Sequence, residues 1–252
     1  MQAMTSEQID ALDAYIFGPD HIPAWSPKIG AWNPTLPAIF PTRKNARRSV
    51  LTRLPLMRHG LMHFDIDPDV EAITAFPFQT EYWSATSDGD AIKLVHIPDT
   101  AIRMRSGAVI CVDYVPVTIQ AEKPWFLAKT EQLVVHYENR FGWAYAVHDE
   151  PRVYAQPMFS NAQLLWRYLP AVADHAALPT VRRAVMDIAM PAAVASIVAG
   201  LTASNPDVAE LGPDAEAFVF TAVMQLITEG RLTVDLSLPI TTSTVVTKGA
   251  AR

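Results

Sequence analysis

Residues 96–115 read HIPDTAIRMRSGAVICVDYV, and this stretch decides the fold. Two runs of mainly apolar residues, 100–105 and 108–115, flank Arg105-Ser106-Gly107, where glycine supplies the positive φ that a tight turn needs. The pattern predicts a β-hairpin with Asp99 before its first strand and Asp113 near the end of its second. Because adjacent antiparallel strands return to the same edge of a sheet, the two carboxylates are expected to lie together.

Paired acids at one end of a hairpin have a known chemical use. Carboxylate oxygens are the ligands that Mg²⁺ prefers, and a bound Mg²⁺ polarises a phosphodiester and lowers the pKa of an attacking water. In the complete form of such a site, a lysine two positions after the second acid stabilises developing charge; here that position is Val115. The alternative is structural: Pro98-Asp99 ends a strand, and Asp113 is a solvated edge residue. The spacing alone leaves both interpretations open.

The surrounding sequence predicts a mixed α/β core. Ile9, Leu12 and Ile16 follow a helical spacing behind the capping candidates Thr5 and Ser6. The prolines that come next exclude a helix and predict an extended arm up to residue 42. Further segments are then expected in this order: a helix over 47–64 with a bend at Pro55, strands over 75–83 and 91–97, the hairpin, a helix over 131–141, a strand over 143–147 and a helix over 160–168.

After Pro170 the composition changes to alanine-rich helices, expected over 181–202 as one or two helices and over 215–229 as another. Gly230 is a candidate helix stop. Residues 232–236 and 243–246 then predict a two-stranded ribbon, and helices followed by such a ribbon indicate a winged-helix-like domain. The expected organisation is an N-terminal helix and proline-rich arm (1–42), an α/β core domain (43–170) and a helical domain (171–252), with the boundary near 170–178.

The net charge of −6 hides an asymmetry along the chain. No acid occurs from Arg43 to Phe64, a stretch that predicts a cationic, DNA-binding patch. Its members are Arg43, Lys44, Arg47, Arg48, Arg53 and Arg58. Between Ala203 and Ile240, in contrast, Arg231 is the only base among six acids. An acidic surface repels phosphate, so the C-terminal domain is predicted to dock on a protein or to pack on the core rather than to bind DNA.

Several other site patterns are weak or absent in this sequence. His59 and His63 have the i, i+4 spacing of a shared metal, but no third ligand is evident, and surface or phosphate-facing histidines are the simpler interpretation. Cys111, the single cysteine, lies on an apolar strand and is expected to be a small buried hydrophobe. The N-terminus lacks the features of a signal peptide, and the most apolar run, Met190–Leu201, is too short to span a membrane. The expected location is the cytoplasm, with no membrane partner.

Over residues 40–169 the sequence resembles the TnsA-like endonucleases, the subunits of heteromeric transposases that cut the 5′ ends of an element. Five segments carry the resemblance in the family's order. They are the basic Pro41–Arg48, the helix end Met62–Val70, Phe76-Pro77-Phe78 with Glu81-Tyr82, His96-Ile97-Pro98-Asp99 in place of Tyr-x-Pro-Asp, and Arg152–Pro157 with Asn161, Leu164 and Tyr168. The resemblance implies a restriction-endonuclease-like core of α/β (α+β) class. It also implies, less specifically, the winged-helix-like tail.

The sequence departs from the family at its catalytic positions. The family's helix carries a metal-binding glutamate, and Lys44–Phe64 contains none; the closing Glu-x-Lys becomes Asp113-Tyr114-Val115. Asp99 and Asp113 remain as candidate catalytic residues and as ligands for Mg²⁺ or Mn²⁺. Lys93, on the strand before Asp99, is the candidate replacement for the missing lysine, with Lys123 and Lys129 more remote.

Three functional hypotheses follow. The resemblance implies a metal-dependent endonuclease acting at transposon ends, weakened or inactive because of the missing glutamate and lysine. The alternative is a non-catalytic, nuclease-fold DNA-binding adaptor without a metal cofactor. It would bind DNA through the basic stretch and recruit a transposase, a regulator or another mobile-element protein through the acidic C-terminal domain. The third is an interaction protein of a phage or mobile element with no DNA contact.

Overall fold

The computed structural model describes residues 3–30, 35–85, 91–170 and 174–250. The chain divides into two compact units. The first comprises Met1–Asp65 and Asp69–Val153, and the second comprises Ile66–Pro68 and Tyr154–Arg252.

The elements of the first unit alternate between helices and short strands. In chain order they are α1 (Ser6–Ile16), β1 (Ala38–Pro41), β2 (Ser49–Thr52), α2 (Pro55–Ile66), β3 (Val70–Ala75), β4 (Thr80–Ala85), β5 (Ala91–His96), β6 (Thr100–Met104), β7 (Val109–Tyr114), α3 (Val117–Ala121), α4 (Phe126–Phe141), β8 (Ala144–His148) and α5 (Glu150–Val153). Helix α2 ends at Ile66, which the division assigns to the second unit.

The predicted N-terminal helix is confirmed. Thr5 caps α1 in a capping box: its side chain accepts from the Gln8 N–H, and the Gln8 side chain accepts from the Thr5 N–H. The described residues from Phe17 to Pro37 form no helix, as the prolines predicted, although the arm ends in strand β1. Pro34 lies outside the described residues.

A four-stranded mixed sheet forms the centre of the first unit, in the order β3-β6-β7-β8. Strand β6 pairs antiparallel with both β3 and β7, so the predicted hairpin is confirmed, with Gly107 at φ 86° in its turn. Strand β8 returns parallel to β7 after α4, because two parallel neighbours need a crossover connection. Strands β1-β2 and β4-β5 form two further antiparallel pairs.

Helices cover both faces of the sheet at β7. Cys111 packs in a buried cluster with Leu133 and Tyr137 of α4. Tyr114 contacts α2 at Gly60, where an added Cβ would lie 2.1 Å from the tyrosine Cε1. Since side chains alternate along a strand, Cys111 and Asp113 point to the α4 face, and Val112 and Tyr114 point to the α2 face. Cys111 is fully buried, as expected.

Two predicted elements of this unit are wrong in their bounds. The helix expected over 47–64 begins only at Pro55, and its first part is strand β2. Proline fits the first turn of a helix because its missing N–H has no partner there, so Pro55 starts the helix and does not bend it. The strand expected over 75–83 is interrupted at Phe76, which has φ 48°. Its first residue is the end of β3, and its last four residues are the start of β4.

The second unit is mainly helical. In chain order its elements are α6 (Met158–Arg167), α7 (Leu178–Asp187), β9 (Ala192–Ala193), α8 (Val194–Ser204), α9 (Pro206–Ala209), a 3₁₀ turn (Gly212–Asp214), α10 (Ala215–Thr228), β10 (Leu232–Thr233) and β11 (Val245–Lys248). The predicted ribbon is present as β10 and β11, and β9 joins it to give the order β10-β11-β9.

The second unit begins earlier than the boundary expected near residues 170–178, of which 171–173 lie outside the described part. The reason is packing: Ala162 and Leu165 of α6 belong to the buried cluster formed with α7, α8 and α10. Among the described residues, no helix is long and apolar enough to cross a membrane.

Candidate functional site

The hairpin β6-β7 brings Asp99 and Asp113 together, as its register requires. Thr100 pairs with Val112, so Asp99, the residue before β6, lies next to the last residues of β7. The Asp99 backbone N–H donates to Asp113 Oδ1 over 3.1 Å. Both carboxylates are buried, so the alternative of a solvated edge aspartate at position 113 is wrong.

Arg53, in the link between β2 and α2, is the side-chain partner of Asp99. Its Nε donates to Asp99 Oδ1 over 2.5 Å, and its Nη2 donates to Asp99 Oδ2 over 2.7 Å. The same Nη2 lies 2.7 Å from the carbonyl oxygen of Tyr114, whose own N–H donates to Asp99 Oδ2. This two-pronged geometry matches the rigid fork of a guanidinium to a carboxylate.

Asp113 is hydrogen-bonded to His96 and Tyr145, and His96 in turn contacts Tyr137. Asp113 Oδ2 accepts from His96 Nε2 over 2.9 Å and from the Tyr145 hydroxyl over 2.8 Å. The other ring nitrogen, His96 Nδ1, lies 2.9 Å from the Tyr137 hydroxyl. Asp113 thus belongs to a chain of hydrogen bonds that runs from β5 to α4 and β8.

Burial and these partners act on the acids in opposite ways. Burial raises the pKa of the Asp99 carboxyl, the Arg53 guanidinium opposes that rise, and the Asp113 charge adds to it. Burial acts to raise the pKa of Asp113 too, but the hydrogen bond and charge of His96, with the Tyr145 hydroxyl, outweigh it and lower that pKa. The bond to Asp99 likewise outweighs burial at Arg53 and raises the pKa of its guanidinium.

This donor set does not fit a divalent cation in the observed arrangement. Each of the four carboxylate oxygens already accepts a hydrogen bond from the protein. A full positive charge on Arg53 stands against Asp99, where it would repel a metal ion. Within the described residues, no group of three or more histidine, cysteine, aspartate or glutamate side chains could hold a metal, whereas Mg²⁺ needs several oxygen ligands.

The candidate lysine lies in a different environment from the acids. Lys93, on β5, forms an ion pair of 2.6 Å with Glu81 of β4, and both side chains are about half exposed. Its role as a replacement for the missing motif lysine stays a prediction. At the motif position itself, the Val115 N–H donates to the carbonyl of His148.

The histidine pair on α2 is engaged separately. His63 Nε2 donates to the carbonyl of Val153 over 2.9 Å, and His59 Nε2 lies 3.5 Å from Arg58 Nη2. Burial lowers the pKa of both histidines. The two side chains therefore make contacts of their own and lie in no cluster that could hold a metal among the described residues.

Three of the six basic candidates lie exposed in the turn between β1 and β2, namely Arg43, Arg47 and Arg48. Asn45 fixes this turn: its Nδ2 donates to the Ile73 carbonyl, and its Oδ1 accepts from the Arg47 N–H. Arg58 is exposed on α2, and Lys44 Nζ donates to the Phe64 carbonyl. Arg53 is the exception, because its guanidinium belongs to the acid pair.

Neither a scan against protein-family models nor a search of curated proteins finds a match for this chain. The resemblance to TnsA-like endonucleases therefore stays a prediction from the sequence.

Sequence reasoning missed the residues that close the acid pair. Its neighbours along the chain place Arg53 in the basic patch, and nothing local distinguishes it from them. Tyr137 and Tyr145 carry no local signal, since they reach Asp113 from α4 and β8. His96 carries a local signal: in the resemblance it stands at the tyrosine position of Tyr-x-Pro-Asp, three residues before Asp99.

Proposed function

We propose that this chain is a non-catalytic protein of the nuclease fold that binds DNA through its basic turn and recruits a partner protein through its second unit. The main support for this proposal is that hydrogen-bond donors of the protein already occupy the carboxylates of Asp99 and Asp113. Arg53 and His96 satisfy by hydrogen bonds and charge the two aspartates that a nuclease would use to hold its metal. An active endonuclease needs these carboxylates open to a cation.

The order of elements in the first unit supports the nuclease fold. Helix α2 precedes three antiparallel strands of the sheet, and α4 leads to a fourth strand parallel to the third. This order supports the restriction-endonuclease-like core that the resemblance implies, and the two aspartates lie together at one end of the hairpin. The pair then serves as a structural ion-pair network that joins β5 and β7 to the residue after β2 and the residue before β6.

The exposed turn residues Arg43, Arg47 and Arg48, with Arg58, are the proposed DNA contacts. Guanidinium groups bind phosphate oxygens through paired hydrogen bonds, and each contact displaces condensed counterions from the DNA. The bonds that Asn45 makes hold this turn in one conformation. Binding to a preorganised turn costs less conformational entropy than binding to a mobile one.

The order of helices and strands in the second unit supports the proposal that it is a winged-helix-like domain that docks on a protein. Helices α7, α8 and α10 are followed by the ribbon β10-β11, and β9 completes a small sheet. Helix α10 is buried throughout its second half, Ala222–Thr228, and has no basic residue, so it is poorly suited to reading DNA. Gln225 of this helix is buried, and its side-chain amide donates to Asp174. The proposed partner is a transposase or a regulator of one.

The absence of cleavage is tested by plasmid nicking with Mg²⁺ or Mn²⁺, with and without the candidate partner transposase. Wild-type protein and Asp99→Asn are expected to give the same background. Metal-dependent nicking by the wild type that disappears in Asp99→Asn would overturn the proposal in favour of an active endonuclease.

DNA binding is tested by measuring affinity for duplex DNA as a function of salt. Arg47→Ala with Arg48→Ala is expected to weaken binding and to reduce the slope of log K against log salt by about 1.8, because two phosphate contacts are lost. Arg105→Ala with Arg152→Ala removes two other exposed charges of the same unit and serves as the control. Equal losses in the two double variants would contradict a specific role for the turn.

A further inference from the structure

Three arginines from two distant segments meet in the second unit. Arg182 and Arg183 lie in α7, and Arg231 follows α10 after the turn at Gly230. Together with Pro179, Met186 and Asp187 they line an open cavity of about 390 Å³. The sequence showed Arg231 only as the single base in an acidic stretch, because the other two precede that stretch.

The three guanidinium groups are not equivalent. Arg182 Nη2 donates to Glu229 Oε2, the acid at the end of α10. Arg183 and Arg231 are exposed, and within the described part of the chain neither side chain makes a hydrogen bond or an ion pair. Two guanidiniums without an ion-pair partner therefore line the same cavity as a third, and Asp187 is the one acid among the residues that line it.

The backbone around this cluster is fixed. Gly230 adopts φ 72°, the Arg231 N–H donates to the Leu226 carbonyl, and the Arg231 carbonyl accepts from the Gly249 N–H. An added Cβ at Gly249 would lie 1.9 Å from the Gly230 carbonyl oxygen, so the residue after β11 packs closely on this turn. On the other side, Val181 and Val185 anchor α7 in the buried core.

We infer that this cluster binds a phosphate group, either of a small free ligand or within a nucleic-acid strand. Like charges that line one cavity repel each other, and an anion bound among them reduces that repulsion. The planar fork of arginine matches the oxygens of phosphate. Because Glu229 and Asp187 offset part of the positive charge, the site suits one phosphate and not a run of them.

The site is independent of the proposed DNA contact at the basic turn, since it uses other residues in the other unit. It also changes the expectation for this unit. The acidic composition of this unit predicts docking on a protein. The fold nevertheless assembles a local cationic site that the composition does not show.

The inference is tested by calorimetric titration of the full chain carrying Arg43→Ala, Arg47→Ala and Arg48→Ala, so that the exposed arginines of the basic turn do not contribute. The probes are inorganic phosphate, a deoxynucleoside monophosphate and a short single-stranded oligonucleotide. Arg231→Ala and Arg183→Ala are each expected to weaken binding by about tenfold or more, because each removes a charge-assisted contact. Arg183→Lys keeps the charge but loses the fork, so it should recover only part of the affinity.

Arg167→Ala is the matched control, since Arg167 is also exposed in the second unit and does not line the cavity. Binding of the monophosphate or of inorganic phosphate identifies a free ligand, and binding of the oligonucleotide alone identifies a strand; both support the inference. An equal loss in Arg167→Ala, or no binding of any probe by the protein with Arg183 and Arg231 intact, would overturn it. Either outcome leaves the proposed role of the basic turn untouched.

Discussion

Arg53 occupies the carboxylate of Asp99, because its guanidinium contacts both oxygens of Asp99 and the carbonyl of Tyr114. Two neighbouring carboxylates in a buried place repel each other, and each needs a donor to be stable there. Arg53 supplies that donor for Asp99, and His96 supplies it for Asp113. The same residues that make the pair stable make it unsuited to a metal.

The replacement Arg53→Ala is expected to lower the free energy of unfolding by about 3 kcal/mol, because it leaves a buried carboxylate without its ionic partner. Urea unfolding measures this change. Arg58→Ala, at an exposed position of α2, is the control and should change stability by no more than about 0.5 kcal/mol. Adding Asp99→Asn to Arg53→Ala should restore part of the loss, and a purely additive pair of effects would contradict the ion-pair explanation.

At the scale of elements, the contact between α2 and β7 sets the position of the acid pair. Arg53 lies two residues before α2 begins, and Asp113 lies beside Tyr114 on β7. Gly60 allows the helix to come this close, since its missing side chain leaves room for the fully buried Tyr114 ring. A wider separation would move Arg53 away from Asp99.

Gly60→Ala is therefore expected to destabilise the protein by about 2 kcal/mol or more, although alanine normally favours a helix. Gly200→Ala is the matched control: Gly200 lies within α8, and an added Cβ there meets nothing within 4 Å. That variant should be neutral or more stable by up to about 1 kcal/mol. Thermal unfolding separates the two outcomes, and a stabilised Gly60→Ala would contradict the close packing.

At the scale of the whole molecule, several histidines are held neutral by burial. Burial lowers the pKa of His148 from 6.5 to about 4, and the nearby charges of Arg152 and His63 add to this. Burial lowers the pKa of His21 and His136 as well. Because the unfolded chain takes up protons at higher pH than the folded one, the contribution of these histidines to stability is complete above pH 6.5. It is lost as the pH falls toward 4.

His148→Phe is expected to reduce the difference in unfolding free energy between pH 7 and pH 4.5 by about 2 kcal/mol. Phenylalanine keeps the stacking on Phe64 and cannot take up a proton. Urea unfolding at both pH values measures the difference. The exposed His175 is the control position, and an equal effect of His175→Phe would contradict the assignment to the buried ring.

The sequence by itself determined the local features of this protein. The capped helix α1, the hairpin with its glycine turn, the proximity of Asp99 and Asp113 and the helix-and-ribbon character of the second unit all follow from residues close together in the chain. The misplaced start of α2 and the break at Phe76 show where this reasoning ends, because short strands and single backbone reversals depend on distant partners.

Only the tertiary structure decided the state of the two candidate sites. Arg53 and Tyr145 reach the aspartates from segments 46 and 32 residues away in the chain, and the arginine cluster joins α7 to the turn after α10. Charge patterns along a sequence cannot distinguish an arginine that faces solvent from one that neutralises a buried acid. That difference depends on which elements pack together, since burial and pairing are properties of the folded chain.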